Sequence, residues 1–418
     1  MTILLKAAKI IDPKSSFHGK TTDILIEKGT IQKIAKNISA PKARHIELNN
    51  LHVSQGWFDS SVSFGEPGYE ERETLSHGLE VAQSSGFTHI AYNTNTHPKP
   101  TSKADISFLL RKSSNTAASL HPKAGLSSES DLHKLAELHD LHQAGAVAFS
   151  NHKEPIDDAH LLLLALQYTQ SFDALVESFP IDRQLCRNGV MHEGKISTSL
   201  GLSGIPNLAE ELRIRRDLAL LDYAGGKLHI PTISTAASVA LIKQAKKQGL
   251  DVSCSVAIHN LVLTDKALNG FDTRYKLMPP LRSTSDQKAL VKGLKEGVID
   301  MVTSDHQPMD IEHKKMELEY ASYGSIGLET AFGALHKLFG LEESVLLLNK
   351  GKSRFGVLEN PIEVGNLADI TLFSPDGTHT HNKKNILSSS KNSAYLGMDF
   401  TGTVYGVIAQ NHIHLTQE

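Results

Sequence analysis

The chain has 418 residues, with 43 Lys and Arg against 46 Asp and Glu and a formal charge of −3; this mixed balance, without a basic run, argues against a nucleic-acid partner. Hydrophobic residues at 40% support a substantial core, and aromatics at only 6% suit an aliphatic α/β protein better than an aromatic-rich binding surface. No apolar run reaches the roughly 18 residues that span a bilayer, Met1 to Lys6 lacks a signal-peptide stretch, and Cys186 and Cys254 read as free thiols of a reducing compartment, so a soluble cytoplasmic protein without a membrane partner is expected.

Residues 1 to about 53 read as short strands separated by turns. Ile3-Leu4-Leu5, Lys9-Ile10-Ile11, Asp23 to Ile26 and Ile31 to Ile34 are the candidates, and Glu27-Lys28-Gly29 marks a hairpin. From Gly56 the pattern changes to short strand-like runs alternating with helical stretches. Eight strands are predicted, over 56–63, 88–94, 116–120, 145–150, 173–178, 227–234, 251–257 and 298–304. Between them, Ala209 to Ala224 keeps Leu212, Ile214, Leu218 and Leu221 at near-helical spacing. Eight β–α alternations fit an α/β chain closed into a (β/α)8 TIM barrel. A doubly wound open sheet is the alternative, but no Gly-x-Gly-x-x-Gly follows the first strand. The β pattern returns after Gly356, at 369–373, 402–408 and 412–415. The expected organisation is a barrel over 54–355 beside a small composite β domain, sandwich-like, built from 1–53 and 356–418.

Asp59, Ser61 and Ser63 alternate along the first barrel strand and so share a face. The strand ends in Gly65-Glu66-Pro67-Gly68. Further on stand Asn93-Thr94-Asn95-Thr96, Gly145 to Ser150, Gly201-Leu202-Ser203-Gly204-Ile205-Pro206, Pro279-Pro280-Leu281-Arg282, Thr303-Ser304-Asp305-His306 and Gly327-Leu328-Glu329-Thr330. Together these segments resemble the dihydroorotase family of the amidohydrolase superfamily over nearly the whole chain. The resemblance implies a cyclic-amide hydrolase of pyrimidine biosynthesis that uses two zinc ions and a bridging hydroxide. It also implies an Asp at the end of the eighth strand, here Asp305, as general acid and base.

Set against the family pattern, the ligand positions hold other residues. Ser61 and Ser63 stand for the first-strand histidines. Asn151 and His152 lie where the bridging acid is expected, Phe179 near the fifth-strand His, and Thr232 at the sixth-strand His. Only Asp305 keeps its identity. Serine and threonine hydroxyls are poor zinc ligands and phenylalanine is none, so no cofactor is expected. On the substrate side Gly65 replaces the carboxylate-binding Arg, Met278 an Asn and Met309 a His, while Asn95 is retained. The expectation is a metal-deficient, inactive dihydroorotase-like protein, with Asp305 vestigial, serving as a structural or regulatory partner of aspartate carbamoyltransferase in a homodimer or hetero-oligomer. The alternative is an active cyclic amidohydrolase whose mononuclear metal site is rebuilt from His152, His259 and Asp305. A weaker third reading is a small-molecule sensor using the vacated pocket.

Overall fold

The computed structural model describes residues 1–128 and 131–416. Five strands come first: β1 (Thr2–Ile10), β2 (Thr21–Glu27), β3 (Thr30–Ala35), β4 (Arg44–Ile46) and β5 (His52–Gln55). The two short runs expected before residue 12 are one strand. Ala7 adopts a left-handed φ of 48°, and the register against β2 shifts between Leu5 and Ala8. This bulge carries the strand through Lys6 and Ala7 without breaking it, and Asp23 secures it by accepting the Ala7 N–H at 3.0 Å.

The chain then enters the barrel through β6 (Trp57–Val62), β7 (Phe87–Tyr92), β8 (Ser119–Ala124), β9 (Ala148–Phe149) and β10 (Leu175–Glu177). A side pair, β11 (Met191–His192) and β12 (Gly204–Ile205), lies outside it. The barrel resumes with β13 (Lys227–Ile230), β14 (Val252–Ala257) and β15 (Met301–Thr303). Neighbours are parallel throughout, in chain order. Strands covered on both faces read as unbroken runs of apolar or small residues, and all six residues of β14 are buried. Seven of the eight strands lie within the expected ranges or overlap them closely. The third is displaced from 116–120 to Ser119–Ala124, because Thr116 closes a turn through its hydroxyl on the Ala118 carbonyl at 2.8 Å. The second half of this strand runs through His121-Pro122-Lys123, and that polarity hides it from hydropathy.

The barrel closes where β6 meets the end of β15. Val62 bridges His306, the Ser63 N–H donates to the His306 carbonyl at 2.8 Å, and the buried Asp59 carboxylate accepts the Ser304 N–H at 2.8 Å. Burial raises the Asp59 pKa while these donors pull it down.

After the barrel, β16 (Ile370–Thr380), β17 (Asp399–Ala409) and β18 (His412–Leu415) return to the first sheet. Its order is β18-β17-β16-β5-β1-β2-β3, with β4 on β1, so both ends of the chain build one sheet. The Asn207–Ala224 helix begins two residues before the expected stretch, directly after Pro206. Leu212 does not join Ile214, Leu218 and Leu221 on its buried face; it is 45% exposed. Among the described residues no helix is long and apolar enough to cross a membrane.

Gly56 joins the sheet to the barrel. Its N–H donates to the Asp369 carbonyl at 2.8 Å, and a Cβ there would meet Thr88 Oγ1 at 2.0 Å and Asp369 Oδ1 at 2.1 Å. Asp369 itself is held by Lys352 at 3.3 Å and His89 at 3.1 Å. Gly56→Ala is therefore expected to destabilise the fold by about 2 kcal/mol through overpacking, read as a lower urea midpoint with unchanged slope. A neutral result would show that the junction yields.

Candidate functional site

The C-terminal ends of the barrel strands gather the side chains singled out in the sequence. Asp305 follows β15 in a left-handed turn, φ 50°, and is nearly fully buried. Its Oδ1 accepts the Ser61 hydroxyl at 3.2 Å. Asn93 donates its amide to both Ser61 Oγ and Ser63 Oγ at 3.1 Å. Ser63 in turn donates to Asn95 Oδ1 at 2.8 Å. Ser61 and Ser63 thus face the mouth together, as their alternation predicts, but as members of a hydroxyl–amide chain.

The decisive partner is one that the sequence pattern does not single out. Lys153 Nζ lies 2.7 Å from Asp305 Oδ2 and donates to Gln307 Oε1 at 3.2 Å. A second cation, Lys123 on β8, pairs with Glu177 at the end of β10 at 2.9 Å, both side chains 2% exposed. Lys123 also sits 5.5 Å from the centroid of the Phe355 ring. A burial of this kind is tolerated only because each charge meets its opposite. The one available signal for Lys153 is its position directly after Asn151-His152, in the segment where the family pattern expects an acid.

The other assigned positions are equally committed. Asn151 turns away to the preceding loop, its Oδ1 accepting the Leu126 N–H at 3.2 Å and its amide donating to Ser127 Oγ at 2.9 Å. Phe179 is buried in an apolar cluster with Ile181, Ile205 and Ala209. Thr232 sits in a left-handed turn, φ 51°, its N–H on Ser255 Oγ at 3.0 Å. Ser61, Lys153, Phe179, Thr232 and Asp305 line a residual cavity of only about 10 Å³, no more than a single water requires.

His259 is buried and His152 half-buried, and the Nε2 of each is enclosed without a hydrogen-bond partner among the described residues. Burial first, then nearby lysines, drives the His152 imidazole well below its usual pKa. Burial pushes His259 down to about 4, against the opposing field of Asp305. Both rings are neutral at pH 7. Yet among the described residues no three His, Cys, Asp or Glu side chains are grouped as a metal ion needs. The rebuilt trio of His152, His259 and Asp305 is therefore not assembled. The donor set does not fit zinc: its one retained carboxylate is already bound to an ammonium.

Above this sealed floor lies an open cleft of about 570 Å³, lined by Asn95, Lys99, His152, Lys153, Met278 and Met309 among others. At Gly65, where the resemblance places the carboxylate-binding Arg, a Cβ would meet the Tyr69 carbonyl at 2.2 Å. The loop has folded into the space that a side chain there would need. Arg72 also borders the cleft, 4.0 Å from the centroid of the Tyr69 ring.

Barrel and terminal sheet together define an amidohydrolase-type fold, and L-hydantoinase (dihydropyrimidinase) from Arthrobacter aurescens superposes with a TM-score of 0.84 over 98% of this chain and 95% of that one, at 22% identity. A family model described as dihydro-orotase-like matches residues 52–238. Dihydroorotase from Syntrophus aciditrophicus (strain SB) is 36% identical over 426 residues, covering 99% of both chains. The Pelotomaculum thermopropionicum protein of the same name is 36% identical over 420 residues, 99% of this chain and 98% of its own. The chain belongs to the dihydroorotase family.

Proposed function

We propose that this protein is a non-catalytic member of the dihydroorotase family, acting in the cytoplasm as a structural or regulatory partner of aspartate carbamoyltransferase in pyrimidine biosynthesis. The observation that carries the loss of chemistry is the Lys153 ammonium 2.7 Å from Asp305. A hydrolytic metal works by placing positive charge beside a water and lowering its pKa. Here the positive charge is a lysine, which holds no water as hydroxide and no open coordination position. The pocket in which that water would be activated is filled by side chains. The partnership is supported by the retained scaffold and rests on the resemblance.

Purified protein is expected to carry less than one tightly bound zinc per chain by elemental analysis, and to give no turnover of dihydroorotate. Ser61→His with Ser63→His is expected to restore neither, because Phe179, Thr232 and Lys153 remain. Stoichiometric zinc that survives dialysis, or turnover by the unmodified chain, would sink the reading. Gentle co-purification with aspartate carbamoyltransferase tests the partnership, and a clean absence of association would remove it.

A further inference from the structure

A second cavity adjoins the cleft, and Met309 lines both. Its volume is about 670 Å³, within the range of small-molecule sites. Five cations stand in its wall: Arg274, Lys314, Lys315, Lys383 and Lys391. They face only two acids, Glu71 and Asp310, and both are already committed. Asp310 caps the short Ile311–Lys314 helix, accepting the His313 N–H at 3.0 Å and meeting the His313 ring at 2.6 Å. Glu71 lies 3.6 Å from Arg72 Nε. Among the described residues Arg274 alone of the five has a carboxylate of its own, donating to Asp272 at 2.7 Å. The buried Lys314 gives its ammonium to the Ser322 and Gly324 carbonyls at 2.9 and 3.2 Å. Lys391 donates to those of Ile386 and Ser388 at 2.8 and 2.6 Å. A carbonyl orients an ammonium but carries no net charge to offset it. Burial, and then Lys276, push Lys314 down to about 7 against the pull of Asp272, as befits a cation without a counter-charge. Lys315 and Lys383 have no ion pair or side-chain hydrogen bond among the described residues.

The wall is fixed before any ligand arrives. Asn392 accepts the Met309 N–H at 3.0 Å and donates to the Gln307 carbonyl at 3.0 Å. The Ser389 hydroxyl donates to Glu73 and the Ser390 hydroxyl to the Arg72 carbonyl, each at 2.8 Å. Like charges gathered on one concave wall repel, and a polyanion relieves that repulsion without the cost of ordering the loops. Beside the cations, Met309, Ile311 and Leu396 make an apolar part of the wall. The occupant that fits carries several negative charges at one end and an apolar body at the other. A monocarboxylate offsets one ammonium, whereas a di- or triphosphate offsets most of them, and lysine meets phosphate oxygens as a point charge from any direction. A metal ion is repelled by the same wall. We propose that this cavity is a binding site for a nucleoside polyphosphate, its phosphates on Lys315, Lys383 and Lys391 in the field of Lys314 and its body against Met309, Ile311 and Leu396. The site goes beyond the non-catalytic reading and does not depend on it.

Calorimetric titration of the full chain with ATP, UTP, inorganic tripolyphosphate and uridine is the test. ATP, UTP or both are expected to bind, one per chain, with a Kd on the order of 10 μM. Tripolyphosphate should bind at least roughly tenfold more weakly for want of the apolar contacts, and uridine not at all. Lys315→Glu with Lys383→Glu should weaken the nucleotide at least roughly tenfold while the circular dichroism spectrum stays unaltered, since both side chains are exposed. Ile311→Ser should narrow the gap between nucleotide and tripolyphosphate without moving tripolyphosphate itself. Lys99→Glu, in the wall of the cleft, should leave the titration unchanged. Four results would each overturn the assignment. They are no saturable binding of either nucleotide at about 1 mM, the weak end of specific recognition; tripolyphosphate as tight as the nucleotides; binding unmoved by the Lys315 and Lys383 pair of changes; or an equal loss from Lys99→Glu, which would put the ligand in the cleft.

Discussion

Lys153→Met is expected to lower the unfolding free energy by about 3 kcal/mol, the scale on which removal of one member of a buried pair is felt. Asp305 is 4% exposed and Lys153 13%, so the carboxylate left behind is neither solvated nor neutralised. Among the described residues its remaining side-chain donor is the Ser61 hydroxyl at 3.2 Å, which is too weak to replace a charge. The double variant Lys153→Met with Asp305→Asn should recover most of the loss, because an amide and a thioether leave no uncompensated charge. Urea titration with unchanged slope is the measurement. A Lys153→Met loss below about 0.5 kcal/mol would place the pair among screened surface contacts and remove the basis for regarding the ammonium as the cation of the site. Zinc uptake by Lys153→Met is not expected, since among the described residues no group of three His, Cys, Asp or Glu side chains forms there.

The second large effect is with acid. Burial holds His192 and His381 down to about 4 and His121 down to about 3, against about 6.5 for an unfolded imidazole. His381 is driven down by burial and then by His379, and its Nε2 shares a hydrogen bond with Ser393 Oγ at 3.0 Å. His192 is lowered by burial and by the neighbouring Arg282 guanidinium. A depressed imidazole pKa means that between the folded and unfolded values the unfolded chain binds more protons. Stability is therefore fully present above about pH 6.5 and falls as the pH drops towards 4. Each of His192 and His381 contributes about 1–2 kcal/mol to that loss once partial solvent screening is allowed for. Asp369, which burial would raise but Lys352 and His89 hold down, adds a loss at still lower pH. Asp59 and Asp217, raised by burial, act in the opposite sense and offset part of it. Unfolding measured at pH 7.5, 6 and 5 should show a steep decline, and His381→Asn should flatten it in part. Constant stability from pH 7.5 to 4.5 would contradict the burial of these rings.

Much of the barrel is legible in the chain because a strand covered on both faces must be apolar or small for most of its length, and because the intervening helices keep their period. The third strand is misplaced for the converse reason: its inner end carries His121 and Lys123, whose polarity is satisfied by partners far away in sequence. Leu212 shows a related limit, since its two-residue offset from Ile214 puts it on the outside of a helix whose overall hydropathy gives no sign of sides. At the mouth, the chemistry of Ser61, Ser63, Phe179 and Thr232 alone carries the expectation that they bind no metal. The pairing of Lys153 with Asp305 cannot be read that way, because a lysine after a strand is ordinarily solvated and barrel closure is what brings the two together. Likewise Gly65 reads as a missing Arg, while only the backbone path through Tyr69 reveals that no side chain fits there.

The ammonium on Asp305 also bears on reversibility. Suppose histidines were reinstated one at a time at 61, 63 or 232: each would enter a mouth that still contains a fixed positive charge and almost no free volume, so none would bind a metal or be favoured for doing so. Removing Lys153 first would strand a buried carboxylate and cost stability before any ligand returned. On the non-catalytic reading proposed above, every single substitution towards a metal centre is neutral or harmful, and only several simultaneous changes on different strands would build one. On that reading the lysine works as a ratchet, holding the barrel in its present state by the same contact that stabilises it.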